Sequence, residues 1–135
     1  ELGKAQIVLD SEDCDICFVT SGCILHDVIE AAEILASQGS KVSILNFHTI
    51  KPFDVKTLVE FAKKSKLVVS VEDHSIQGGF GSLVCETLSE KHPSQVLRIG
   101  LEDVFPESAP PSDLYEKYGL NCSGIVRRVL SYANQ

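Results

Sequence analysis

Short β-rich runs alternate with amphipathic helical stretches through most of this chain, and that alternation restricts the fold more than any single residue does. It implies a mostly parallel sheet joined by right-handed crossovers, with helices on both faces. Ala5 to Leu9 and Ile16 to Thr20 are the first two β-rich runs. The polar cluster Asp10-Ser11-Glu12-Asp13 separates them at the spacing of a hairpin, so one antiparallel strand is expected at the N-terminus. After Ser21-Gly22, the apolar residues Leu25, Val28, Ile29, Ala32, Leu35 and Ala36 recur at helical spacing, and Gly39 stands where a left-handed residue often stops a helix. Lys41 to Asn46 is the next strand. Pro52-Phe53-Asp54 then prepares a helix with Asp54 as N-cap and Val55, Leu58, Val59 and Ala62 on its buried stripe. Leu67 to Glu72 reads as a strand covered on both faces, judged by Val68-Val69. A loop from Asp73 to Gly81 feeds a third helix, with Leu83, Val84, Thr87 and Leu88 facing inward, and Val96 to Gly100 closes a five-stranded sheet. The predicted fold is an α/β class, three-layer α/β/α sandwich whose sheet is parallel apart from the hairpin strand. Beyond it, Pro106, Pro110 and Pro111 mark an irregular connector. Leu114 to Tyr118 reads as a short helix stopped by Gly119, and Ile125 to Leu130 as a last helix begun at Ser123.

Composition narrows the setting. With 135 residues, 44% of them hydrophobic, the chain from 1 to 135 suits one domain with its own core. Five scattered cysteines do not form a disulfide framework, which points to a reducing cytoplasm. No run approaches the ~18 apolar residues of a membrane span, and the N-terminus lacks a signal-peptide pattern. The net charge of -7 comes without a Lys/Arg stripe, which argues against nucleic acid and against an anionic membrane as partners. Glu1-Leu2-Gly3-Lys4 runs straight into a strand and reads as a cut within a longer polypeptide.

Chemistry is sparse. The segment His74-Ser75-Ile76-Gln77-Gly78-Gly79-Phe80-Gly81 joins a strand end to a helix start, where open α/β sheets usually bind ligands and helix N-termini attract anions. It fits neither G-x-G-x-x-G nor the Walker pattern, so a tight turn and close helix packing explain Gly78, Gly79 and Gly81 better than a phosphate cradle does. Ser21-Gly22, at another strand end, is a second candidate for holding an anion. Glu72, Asp73 and His74 place two acids and an imidazole together. Strand alternation lets only Glu72 and His74 share a side, and a hydrogen-bonded contact residue is the simpler role for His74. Cys14 and Cys17 form C-x-x-C, but odd spacing on a strand points the thiols apart, and no second pair completes a metal site. Cys23, Cys85 and Cys122 are isolated, and His26, His48 and His92 read as capping or surface residues.

Four segments, in order and spacing, carry a resemblance: Val19-Thr20-Ser21-Gly22, Thr49-Ile50-Lys51-Pro52-Phe53-Asp54, Val71-Glu72-Asp73-His74 leading to Gly78-Gly79-Phe80-Gly81, and Asp113-Leu114-Tyr115-Glu116-Lys117-Tyr118-Gly119-Leu120. From Gly3 to about Leu130 the chain resembles the C-terminal domain of transketolase, and the C-terminal subunits of split bacterial transketolases look most similar. The resemblance implies a parent enzyme that uses thiamine diphosphate and a divalent metal, Mg, to move a two-carbon ketol unit from a ketose phosphate to an aldose phosphate. It implies that the cofactor lies in other domains, so no catalytic, cofactor-binding or metal position is expected in this one. Its implied partners are the remaining thiamine-binding domains or an N-terminal subunit, with a homodimer contact near Glu72, His74, Gly78, Gly79 and Gly81. The β subunits of 2-oxo acid dehydrogenases and the deoxyxylulose-phosphate synthases end in a similar domain, and a stand-alone nucleotide- or anion-binding module is the competing class. One departure stands out: the family's Gly-Glu-Ser-Gly-like turn is replaced by Pro106-Glu107-Ser108-Ala109-Pro110-Pro111, which removes both glycines.

Overall fold

The computed structural model describes residues 3–48, 50–75, 79–101 and 120–134. The elements are β1 (Gln6–Leu9), β2 (Cys14–Ser21), α1 (Leu25–Ser37), β3 (Val42–Asn46), α2 (Val55–Lys63), β4 (Ser65–Ser75), α3 (Phe80–Lys91), β5 (Val96–Leu101) and α4 (Cys122–Ala133). One five-stranded sheet has the order β1-β3-β2-β4-β5. The β2·β3, β2·β4 and β4·β5 pairs are parallel, and β1 runs antiparallel to β3. The predicted antiparallel strand is present, but it does not form a hairpin with β2. Both edges of β2 are taken by β3 and β4. Ser11 holds the connecting segment to β3 instead, its N–H donating to Ser43 Oγ (2.9 Å) and its Oγ to the Val42 carbonyl (2.9 Å).

Strand alternation sends side chains into two cores. Ile16 and Phe18 of β2, Ile44 of β3, and Val69 and Val71 of β4 pack under α1 and α4, with Val28, Leu35, Ile125 and Val129 above them. The opposite parity, Cys17, Val19, Leu45 and Val68, packs with Leu58 and Phe61 of α2 and with Phe80, Val84 and Leu88 of α3. Helices on both faces give the predicted three layers. Cys14 departs from its expected side: it joins Cys17 in the α2/α3 core, because the Asp15 and Ile16 N–H groups both donate to the Lys41 carbonyl (2.8 and 3.2 Å), a bulge that breaks the alternation between Cys14 and Ile16. Both thiols are free and buried, and burial pushes the Cys17 thiol far above its ordinary range.

Local signals account for several helix ends. Gly39, at φ +100°, donates its N–H to Ala36 O (3.0 Å) as α1 closes. Asp54 caps α2 as expected, accepting the Thr57 N–H (3.2 Å) and Oγ1–H (2.7 Å) and reaching back to the Ala5 N–H (2.8 Å). The last helix begins at Cys122 rather than Ser123, because Asn121 Oδ1 accepts the Gly124 N–H (2.9 Å) and supplies the cap two positions earlier than the serine would. The short helix expected at Leu114–Tyr118 and the connector through Pro106, Pro110 and Pro111 lie outside the described residues.

Burial by itself would raise the Asp54 carboxyl, but the bonds from Thr57 and Ala5 outweigh it and hold the group below the usual carboxylate value. A depressed folded value gives stability that is present above the unfolded value of about 3.9 and is lost as pH falls through the folded value. Asp54→Ala is expected to lower stability by about 1–2 kcal/mol near neutral pH, with the difference from wild type shrinking below about pH 4. Urea unfolding at a series of pH values checks both the size and the direction.

Candidate functional site

Each of α1, α2 and α3 follows a parallel strand, so their N-termini gather at the C-terminal edge of the sheet, where open α/β folds hold ligands. The first N–H groups of a helix lack intrahelical acceptors and favour an anion. In α3 that anion is internal. Glu72, near the end of β4, has the parity of Val68 and Ser70 and so faces α3. Its Oε2 accepts the Phe80 N–H (2.8 Å) and its Oε1 the Gly81 N–H (2.9 Å). The side chain is 1% exposed. Burying a lone carboxylate costs several kcal/mol unless it is compensated, and two charge-assisted bonds at the positive end of a helix provide that compensation.

This contact explains Gly81. A Cβ there would stand 2.8 Å from Ser70 Oγ, 3.0 Å from Glu72 Oε1 and 3.3 Å from Arg98 Cδ, so only glycine lets α3 approach β4 this closely. Ser70 and Arg98 face each other in the β4/β5 register, and Arg98 Nη1 also reaches Ser82 Oγ (3.5 Å). Gly79 is the N-cap residue of α3 with φ -95°, a value open to any residue.

Ser21 pairs with Glu72 across the β2/β4 ladder, which brings two of the sequence candidates together. Gly22, at φ +96°, lies so close to Asp73 that a Cβ would come within 2.8 Å of Oδ1; both conformation and space require glycine there. An acid therefore lines the Ser21-Gly22 turn, which opposes the anion role considered for it. His74 belongs to β4 by its backbone, and Gly78 lies outside the described residues. Two other helix starts are occupied too: Asp54 caps α2, and at α4 Asp27 of α1 accepts the Cys122 N–H (3.3 Å) beside the Asn121 cap. The α1 start has no side-chain cap hydrogen bond at Ile24.

Three phenylalanines complete the edge. Phe47 stacks on Phe53 (centroids 4.9 Å apart) and both meet Phe80, at 5.5 and 6.2 Å. The segment around Pro52-Phe53 and the segment around Gly79-Phe80 thus touch through aromatic rings. Sequence reasoning missed Ser70, Arg98 and this ring cluster. Counting alternate positions back from Glu72 would have found Ser70; the rings meet only in three dimensions. At the opposite edge of the sheet, Asp15, Ile16, Lys66, Leu67, Val129 and Tyr132 help line a groove of about 430 Å³. There the Lys41 N–H and the Lys66 ammonium (3.1 Å) hold the Asp15 carboxyl below its ordinary value. Among the described residues, no group of three or more His, Cys, Asp or Glu side chains is arranged to hold a metal ion, and no helix is long and apolar enough to cross a membrane.

The fold and site define a doubly wound α/β module in which the α2 and α3 starts at this edge are held by its own carboxylates. Residues 3–125 match the family described as "Transketolase, C-terminal domain". The chain belongs to that family. It is 39% identical over 126 residues to the 6-deoxy-6-sulfo-D-fructose transketolase subunit SqwH of Clostridium sp. (strain MSTE9), covering 93% of this chain and 38% of the relative. It is 37% identical over 130 residues to the 1-deoxy-D-xylulose-5-phosphate synthase of Caldanaerobacter subterraneus subsp. tengcongensis, covering 96% of this chain and 21% of the relative. A solved split-gene transketolase, described as an inactive beta4 tetramer, superposes with a TM-score of 0.88 at 37% identity, over 97% of this chain and 42% of that one. The chain therefore spans well under half the length of these relatives.

Gly81→Ala is expected to destabilise the fold by about 1–3 kcal/mol through overpacking, against the usual gain from placing alanine in a helix. Ser70 Oγ is buried without a hydrogen-bond partner among the described residues, so Ser70→Ala is expected to leave stability unchanged or raise it by up to about 1 kcal/mol. In the double variant the penalty at Gly81 should shrink, because the closest obstructing atom is gone. Chemical denaturation of the three variants reads all three effects.

Proposed function

We propose that this chain, as one domain over residues 1–135, is the C-terminal assembly domain of a thiamine-diphosphate-dependent transketolase that moves a two-carbon ketol unit between sugar phosphates, and that it carries no catalytic residue itself. The observation that carries the proposal is the Glu72 carboxylate seated on the Phe80 and Gly81 N–H groups. It occupies the α3 N-terminus, the anion position suggested by the sequence, so the side chains at this edge hold the domain together instead of receiving a phosphate. A diphosphate does not fit at that helix end, where it would meet a buried like charge. When bound, the cofactor supplies carbanion stabilisation, and the proposal places it, with its divalent metal, in the remaining domains or in an N-terminal partner subunit. A relative described as both split-gene and an inactive tetramer supports a chain that associates yet needs a partner for turnover. Residues Ser21, Gly22, Glu72, His74, Gly78, Gly79 and Gly81 are proposed as the edge facing that partner or the second copy in a homodimer. Five free thiols suit a reducing cytoplasm.

A second enzyme assignment has a specific observation in its favour: relatives named 1-deoxy-D-xylulose-5-phosphate synthase reach 37% identity over nearly the whole chain. The same domain serves either enzyme, and the choice of substrate then belongs to the rest of the protein. The stand-alone anion-binding class is disfavoured by Glu72.

Assayed with a ketose phosphate, an aldose phosphate, thiamine diphosphate and Mg, the chain is expected to show no turnover by itself and to gain it when the remaining domains or subunit are supplied. Turnover by the chain unaided would overturn the proposal. Calorimetry with nucleotides and sugar phosphates should show no sub-millimolar binding; binding that is lost when Gly79 is replaced by a bulky residue, with folding intact, would favour the anion module.

A further inference from the structure

Glu72 does more than fill a helix end. Its two acceptors fix the first turn of α3, and that turn carries Phe80. The Phe80 ring meets Phe47, just after β3, and Phe53, just before α2. Phe47 is tied to β2 by its N–H donating to the Thr20 carbonyl (2.8 Å). Phe53 precedes Asp54, which caps α2 and accepts the Ala5 N–H at the entry to β1. A contiguous line of hydrogen bonds, ring contacts and adjoining residues therefore runs from β4 through α3 to α2 and β1, along the part of the C-terminal edge between β4 and β1. Ring pairs of this geometry resist independent movement, because sliding one ring gives up its packing against the other two.

We propose that Glu72 is a positioning residue whose carboxylate latches the sheet's C-terminal edge into one mechanical unit, so that opening at the α3 start loosens the start of α2 and the entry to β1. The device is intramolecular and does not depend on the assembly role proposed above; its test uses no partner and no activity assay. Spatial continuity is not itself proof of coupling, so the decisive observation is a response at amides Glu72 does not bond.

Residue-resolved hydrogen exchange on the folded protein makes that measurement. In Glu72→Ala, the Phe80 and Gly81 amides are expected to exchange at least tenfold faster. So are Thr57 and Ala5, both bound to Asp54, while Gly39 and Ser40 at the far end of α1 serve as controls and change less than threefold. Phe80→Leu keeps the Glu72 acceptors but removes the ring, and is expected to speed Thr57 and Ala5 while leaving Gly81 within threefold of wild type. If Thr57 and Ala5 accelerate no more than the two controls, in either variant, the latch does not exist. Should Glu72→Ala fail to fold, Glu72→Gln tests the same point, since its amide retains only one acceptor oxygen for two N–H donors.

Discussion

A carboxylate with almost no access to water sits at the centre of this structure, and its tolerance there depends on two backbone N–H groups at the positive end of α3. Much of the C-terminal edge follows from that pairing. It draws α3 onto β4, which leaves no volume for a side chain at position 81 and puts the Ser70 hydroxyl in the interior without a partner among the described residues. It also aims Phe80 at Phe47 and Phe53. A hydrocarbon in place of the carboxylate would satisfy the core but orphan two buried donors, and an external anion would need a gap that is already filled.

The same economy recurs at two other helix starts. Asp54 serves α2 and at once anchors the segment entering β1, and Asp27 of α1 reaches the first turn of α4. Open α/β sheets commonly leave these positions for ligands. Here they bind parts of the chain to one another. The relatives of this chain extend well beyond its length.

Local patterns made much of the fold legible. The apolar stripe of α1 and its stop at Gly39, the Asp54 cap of α2 and the doubly covered Val68-Val69 segment all depend on residues within a few positions of one another, which periodicity and capping chemistry capture. The hairpin expectation failed because the identity of a strand's neighbour is a long-range choice. A strand forms at Gln6–Leu9, but Ser11 fastens the chain to β3, and β2 has no open edge to offer. Cys14 was misassigned for a related reason, since the bulge at Asp15-Ile16 against the Lys41 carbonyl, a residue remote along the chain, breaks the alternation that spacing presumes.

For the candidate site, composition and spacing singled out Glu72, Ser21, Gly22, Gly79 and Gly81, yet gave no means of telling a ligand cradle from an internal cap. By itself, the sequence determined the alternation of strands and helices, the apolar stripe that α1 and α2 bury and the absence of a nucleotide-loop signature, because each follows from chemistry among near neighbours. Only the tertiary structure decided that β1 pairs with β3, that Glu72 supplies the anion for α3, and that three phenylalanines from separate segments share one contact. Those outcomes depend on distances between residues remote along the chain, which the packing of the sheet and helices settles collectively.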